Sequence, residues 1–108
     1  MLREISKSDW KLFRQKIGEW QEDYMGRLNE EYIKLLSGDE PASVKFWNLE
    51  ERIRRDKNKP SVRLELRKSK LPWDIAHLIN DDVITQAEIT EFSDDLQEWV
   101  SELTKIQW

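Results

Sequence analysis

The run Trp10-Lys11-Leu12-Phe13-Arg14-Gln15-Lys16-Ile17-Gly18-Glu19-Trp20-Gln21-Glu22-Asp23-Tyr24, continued through Leu28, Tyr32 and Leu35, decides the fold class. Its apolar residues Trp10, Phe13, Ile17, Trp20, Tyr24, Leu28, Tyr32 and Leu35 recur in steps of three and four, which return to one side of a helix. Lys11, Arg14, Glu19, Glu22, Asp23, Arg27 and Glu30 fall between them and form the polar side. Ser6-Lys7-Ser8-Asp9 offers N-cap side chains ahead of the run, and Gly38 follows it as a C′ residue. Gly18 and Gly26 each cost about 1 kcal/mol relative to Ala and leave room for a kink or break near either, but one long first helix is expected.

Beyond Gly38, Asp39-Glu40-Pro41 starts a second helix, because proline is tolerated in a first turn and acidic residues oppose the positive end of the helix dipole. Phe46, Leu49 and Ile53 mark its expected buried stripe, with Trp47 on the flank. Asn58-Lys59-Pro60-Ser61 ends it, since the residue before proline avoids the α region. Val62, Leu64 and Leu66 alternate with Arg63, Glu65 and Arg67 like a short strand, but no partner strand is apparent and a helix is the favoured reading there. Pro72 punctuates it. A short helix from about Trp73 to Ile79 follows, with Ile75, Leu78 and Ile79 inward, and Asn80-Asp81-Asp82 turns the chain. Thr85-Gln86-Ala87-Glu88 is a capping-box pattern that opens a last helix of about five turns, with Ile89, Phe92, Leu96, Trp99, Leu103 and Ile106 inward. The expected fold is all-α, a small bundle of four to five helices with long first and last members, as a single helical domain over 1–108.

Composition narrows the chemistry. The chain has 108 residues, no cysteine and one histidine. Disulfide frameworks, thiol nucleophiles, Cys-zinc and iron–sulfur sites are excluded, as is any two-histidine site within one chain. A domain this size buries one core. The N-terminal Met1-Leu2-Arg3-Glu4-Ile5 has no apolar segment behind its basic residue, and the apolar runs are two or three residues long, so neither a secretory signal nor a membrane span is expected and a cytoplasmic location is. Six Trp, three Phe and two Tyr supply large burial area and favour a folded chain over a disordered one despite 37% charged residues.

The net charge of −4 conceals a dipolar chain. Residues 1–44 carry −2, residues 45–70 carry +6 and residues 71–108 carry −8. Lys45 to Lys70 is the basic part, and Arg52, Arg55 and Lys59 recur at helical spacing as a possible phosphate-binding row. The acidic C-terminal part, with Glu91, Asp95 and Glu98, has the charge to occupy a basic groove on another protein. Either face is equally well read as solvated surface or as one half of an internal pairing.

Motifs for catalysis are missing. An EF-hand register starting at His77 puts Asp81, Ile84 and Glu88 at its fifth, eighth and twelfth positions. It fails at the first and third ligands and at the glycine, so no calcium site is expected. Asp81/Asp82 and Asp94/Asp95 are adjacent on the chain, point to different sides of a helix and read as capping or surface groups. His77, between Ala76 and Leu78, reads as a packed histidine. No glycine-rich phosphate loop, nucleotide fingerprint or nucleophile motif occurs. No enzymatic activity and no cofactor or metal is expected. Tryptophan carries more information: Trp20 and Trp99 sit on the expected stripes, while Trp10, Trp47, Trp73 and Trp108 lie near element ends or on a flank. Exposed aromatics beside arginine are what protein interfaces use as anchors, and Trp47 with Arg52, Arg54, Arg55, Lys59 and Arg63 is the expected partner-binding set.

Asp9-Trp10-Lys11-Leu12-Phe13-Arg14, Trp20-Gln21-Glu22-Asp23-Tyr24-Met25, Phe46-Trp47-Asn48-Leu49-Glu50, and Val83-Ile84-Thr85 followed by Glu91-Phe92-Ser93-Asp94 resemble an uncharacterised family of small helical proteins from gut Firmicutes. Members of that family tend to accompany mobile elements. The resemblance spans nearly the whole chain and implies a helical regulator of a mobile element or of a host system; its motifs are structural and carry over no functional residue. The expected activity is a non-enzymatic protein-interaction module whose partner is another protein, with homodimerisation as one form. The alternatives are nucleic-acid binding through 45–70 and an acidic, anti-CRISPR-like inhibitor of a host defence nuclease.

Overall fold

A computed structural model of the chain describes residues 3–106, so Trp108 lies outside the described residues. Among these residues the structure is all-α, with four α-helices and two 3₁₀ turns. Among the described residues no helix is long and apolar enough to cross a membrane.

Helix α1 (Lys7–Leu36) runs unbroken for 30 residues. Ser6 caps it, its Oγ accepting the Asp9 N–H at 3.0 Å. The helix is not broken at Gly18 or Gly26. Both glycines lie on the exposed side, with nothing within 4 Å of the position a Cβ would take, so each costs helix propensity and breaks no packing. Phe13, Ile17, Trp20, Tyr24 and Leu28 are buried as the spacing requires, while Trp10, Tyr32 and Leu35 are half-buried. The helix closes through the Ser37 N–H to the Ile33 carbonyl at 2.9 Å; Gly38 follows without using left-handed backbone.

Helix α2 (Ala42–Lys57) starts behind Pro41 and ends at Asn58, whose side-chain amide donates to the Arg54 carbonyl at 2.8 Å. The expected stripe is not buried. Leu49 is half-buried, but Phe46 and Ile53 are exposed, and the only buried residue of α2 is Asp56. The reason is architectural. The molecule is 58 Å long and 26 × 23 Å across, and the outer part of α1 carries α2 beyond the core as a two-helix arm. A helix with one neighbour has one covered side, and here Leu49, Arg52 and Asp56 occupy it.

The helix expected over 62–68 does not form. Residues 64–67 are irregular, Leu66 has φ of 55°, and a 3₁₀ turn, Lys68–Lys70, precedes α3 (Leu71–Asn80). Val62 and Leu64 both pack against the core. The Val62 and Arg63 N–H groups close turns on the Lys59 and Pro60 carbonyls at 3.0 and 3.2 Å, and the chain from Leu64 to Arg67 is irregular. No strand pairs with it among the described residues. Pro72 sits in the first turn of α3, and Leu71, Ile75, Ala76 and Leu78 are buried beneath it.

The last helix is shorter than its spacing predicts. The Thr85 capping box is present, with the Glu88 carboxylate accepting the Thr85 N–H at 2.6 Å, but it closes a 3₁₀ turn, Gln86–Ile89. Helix α4 (Asp94–Thr104) has its own cap. Ser93 Oγ accepts the Leu96 N–H at 3.2 Å, and the buried Asp9 carboxylate accepts the Ser93 N–H at 2.9 Å. Asp9 thereby ties the start of α1 to the start of α4. Phe92, Leu96, Val100 and Leu103 face inward, Trp99 is half-buried and Ile106 is exposed. The core joins these residues to Phe13, Trp20, Leu71, Ile75 and Leu78, with Trp20 bridging Phe13 and Phe92 at ring distances of 6.3 and 6.4 Å.

Candidate interaction surface on the helical arm

The two flanks of the arm differ. Against α2, α1 presents Tyr32, whose hydroxyl reaches Asp56, and this fixes the direction of the seam. One rotational side of that seam carries Arg27, Glu31 and Lys34 from α1, and Arg52, Arg55 and Lys59 from the α2 side; these line a charged cleft of about 470 Å³. The opposite side carries Ile33 and Leu36 from α1 and Phe46 and Ile53 from α2, because antiparallel helices turn the same sense of rotation to the same flank. All four are exposed, Ile33 and Phe46 by more than 60%. Trp47 is 64% exposed and stands edge-to-face against Phe46 at 5.0 Å. The arm is thus amphipathic across its width.

Polar contacts hold the arm closed. Asp56 is only 2% exposed, and Tyr32 donates its hydroxyl proton to Asp56 Oδ2 at 2.6 Å. Arg52 approaches the same oxygen at 3.7 Å and donates to Glu31 at 3.3 Å, while Lys59 lies 3.7 Å from Asp56 Oδ1 and donates to the Tyr24 hydroxyl at 2.9 Å. Burial and the Asp56 carboxylate push the Tyr32 phenol up to about 12. The Lys59 ammonium is raised chiefly by its hydrogen bond to Tyr24. Arg27 secures the base of the arm, donating to the carbonyls of Asp82 and Val83 at 3.0 and 2.7 Å.

This geometry sorts the sequence-predicted residues. Trp47 stands on the surface. Arg54 and Arg55 are exposed, with Arg54 paired to Glu50 at 2.8 Å one helical turn away. Arg63 is exposed and its Nε donates to the Lys57 carbonyl at 2.8 Å. Arg52 and Lys59 are engaged around Asp56, so the row Arg52, Arg55, Lys59 has one outward member. In the acidic set, Glu91 lies in the turn before α4 and pairs with Lys16 at 3.2 Å, whereas Asp95 and Glu98 are exposed on α4. Glu102 is gripped by Arg3 through two hydrogen bonds of 2.7 and 2.9 Å. His77 is half-buried on α3.

The Asp56 hub and the Asp9–Ser93 tie escaped the sequence reading. The first had a signal, since Tyr32 on an otherwise apolar stripe needs a partner for its hydroxyl. No protein family, curated protein or solved structure matches the chain. No group of three or more metal-ligating side chains is gathered among the described residues.

Proposed function

We propose that the protein is a non-enzymatic, cytoplasmic interaction module, and that the apolar flank of the arm binds an amphipathic helix of another protein. The observation that carries this is the exposure of Ile33, Leu36, Phe46 and Ile53 along one flank, with Trp47 at its edge. Large contiguous apolar patches mark interaction sites, and an amphipathic helix completes a two-helix layer by burying its own stripe on it. With Phe46 and Trp47 the patch offers on the order of 550 Å², short of the roughly 800 Å² per partner of a standard complex and well below what obligate dimers bury. That comparison favours a separate partner over a second copy. A regulatory role linked to a mobile element agrees with the family resemblance of the sequence.

Photo-crosslinking tests the proposal. With a photoreactive amino acid at position 46, and separately at 33, the expected result is one discrete heterologous adduct common to both positions and absent when the probe is at Arg14. An adduct of twice the chain mass identifies a self-interface and overturns the choice of partner. No discrete adduct from either position overturns the docking surface.

The basic segment supports a second reading. With Arg52 and Lys59 held inside, Arg54, Arg55, Arg63, Arg67, Lys68 and Lys70 remain exposed. Nucleic-acid binding through them requires affinity that falls steeply between about 50 and about 200 mM salt and is lost on charge reversal at Arg54 and Arg55.

A further inference from the structure

A cleft of about 480 Å³, within the range of small-molecule sites, lies between the 60–65 segment, the Lys68–Lys70 turn and α3. Lys70, Asp74 and His77 follow at i, i+4 and i+7 along one side of α3, with Trp73 beside them, and Arg63 faces them from the preceding segment. Asp74 is 7% exposed, and its Oδ2 accepts no hydrogen bond. A buried carboxylate oxygen without a partner is rare and costly, and it calls for an explanation. Burial raises the Asp74 carboxyl to about 6, with Lys70 drawing it down and Glu65 pushing it up.

The rest of the cleft indicates what satisfies that carboxylate. Lys70 enters no ion pair among the described residues, and Arg63 spends only its Nε, on the Lys57 carbonyl. Two cations are therefore available to an anion. Trp73 supplies a flat aromatic wall, held edge-to-face by Trp99 at 5.5 Å. The acceptor, the aromatic wall and the cations together match a planar heterocycle that bears N–H groups and a phosphate.

We propose that this cleft binds a purine nucleotide, with the base against Trp73, its N–H edge donating to Asp74, and the phosphate met by Arg63 and Lys70. Guanine is the preferred base, because its two adjacent N–H groups pair with both oxygens of one carboxylate. Lys70, exposed and outside any ion pair among the described residues, is the side chain that shifts to admit it. The inference is independent of the arm and its partner.

Isothermal titration of the intact chain with GMP, AMP and guanosine tests it. Saturable one-to-one binding of GMP is expected, with AMP and guanosine each at least tenfold weaker. Asp74→Leu and Lys70→Glu should each weaken GMP at least tenfold while unfolding remains cooperative. Phe46→Asp on the arm should leave GMP binding unchanged. Absence of saturable GMP binding at millimolar concentration, equal binding of AMP and GMP, or unchanged affinity in Asp74→Leu overturns the assignment.

Discussion

The Tyr32 hydroxyl donates to the Asp56 carboxylate at 2.6 Å, across the seam between α1 and α2, and the buried seam is organised around that contact. Asp56 also faces Arg52, Arg55 and Lys59 at 3.7 to 3.9 Å. A carboxylate so enclosed contributes through its partners, and removing one leaves a buried charge under-compensated. The seam thus combines half-buried Leu49 with this polar cluster, and Phe46 and Ile53 of α2 are left on the open flank.

Tyr32→Phe should lower stability by about 1.5–3 kcal/mol, the range for hydrogen bonds to charged groups. Asp56→Ala should cost about 3 kcal/mol or more, because Arg52 and Lys59 lose their common partner. Hydrogen exchange should show the loss in α2 amides first, with α3 and α4 less affected, since the arm opens without disturbing the core.

Asp9 and Ser93 should be energetically coupled. Ser93→Ala removes the α4 cap and costs about 1 kcal/mol, as caps typically do, and more through Asp9, which loses its hydroxyl partner. A double-mutant cycle with Asp9→Ala, read by chemical denaturation, should give an interaction energy of about 1 kcal/mol or more. A value near zero would mean that the two helix starts are tied by other contacts.

Stability should respond to Asp74 with a definite sign. The folded carboxyl titrates near 6, above its ordinary 3.8, so the folded state holds the proton more tightly between those values. Stability from this group is present below about pH 4 and is lost as pH rises through 6, a difference of up to about 3 kcal/mol. Lys70 beside it favours the ionised form, Glu65 opposes it, and His77 is held towards neutrality by burial. Relative to wild type, Asp74→Leu should therefore gain stability between pH 4 and pH 7, measured by thermal unfolding across that range.

Charge reversal should separate the arginines. Arg54→Glu, whose only ion pair is with exposed Glu50, should change stability by no more than about 0.5 kcal/mol, whereas Arg55→Glu, at 3.9 Å from the buried Asp56 carboxylate, should cost more than that. Arg52→Glu places a third carboxylate beside Asp56 and Glu31 and should destabilise the arm strongly. Thermal unfolding of the three single variants checks the contrast.

The first helix was legible because eight large residues repeat at one spacing over seven turns, a signal that two exposed glycines do not disturb. The Phe46, Leu49 and Ile53 stripe was equally legible as helix but misleading about burial. Periodicity reports which residues share a side, whereas burial depends on having a neighbour there, and α2 has only α1. The Thr85 capping box was read correctly as a local motif; what ended its helix was Ser93, recapped by Asp9 from 84 residues away. Contacts of that range leave no local trace. Arg52 and Lys59 were chosen by spacing, and Asp56, the residue between them that draws both inward, was counted only as one charge among many.

On the proposed reading the arm's apolar flank serves a partner, while its polar seam serves the fold. The direct measurement compares thermal unfolding and partner cross-linking in the double variant Phe46→Asp with Ile53→Asp, carrying the photoreactive probe at position 33. Unchanged unfolding within a few degrees and disappearance of the heterologous adduct is the predicted result. An adduct that persists in a folded double variant, or collapse of the fold on exposing two aspartates at that flank, would contradict it.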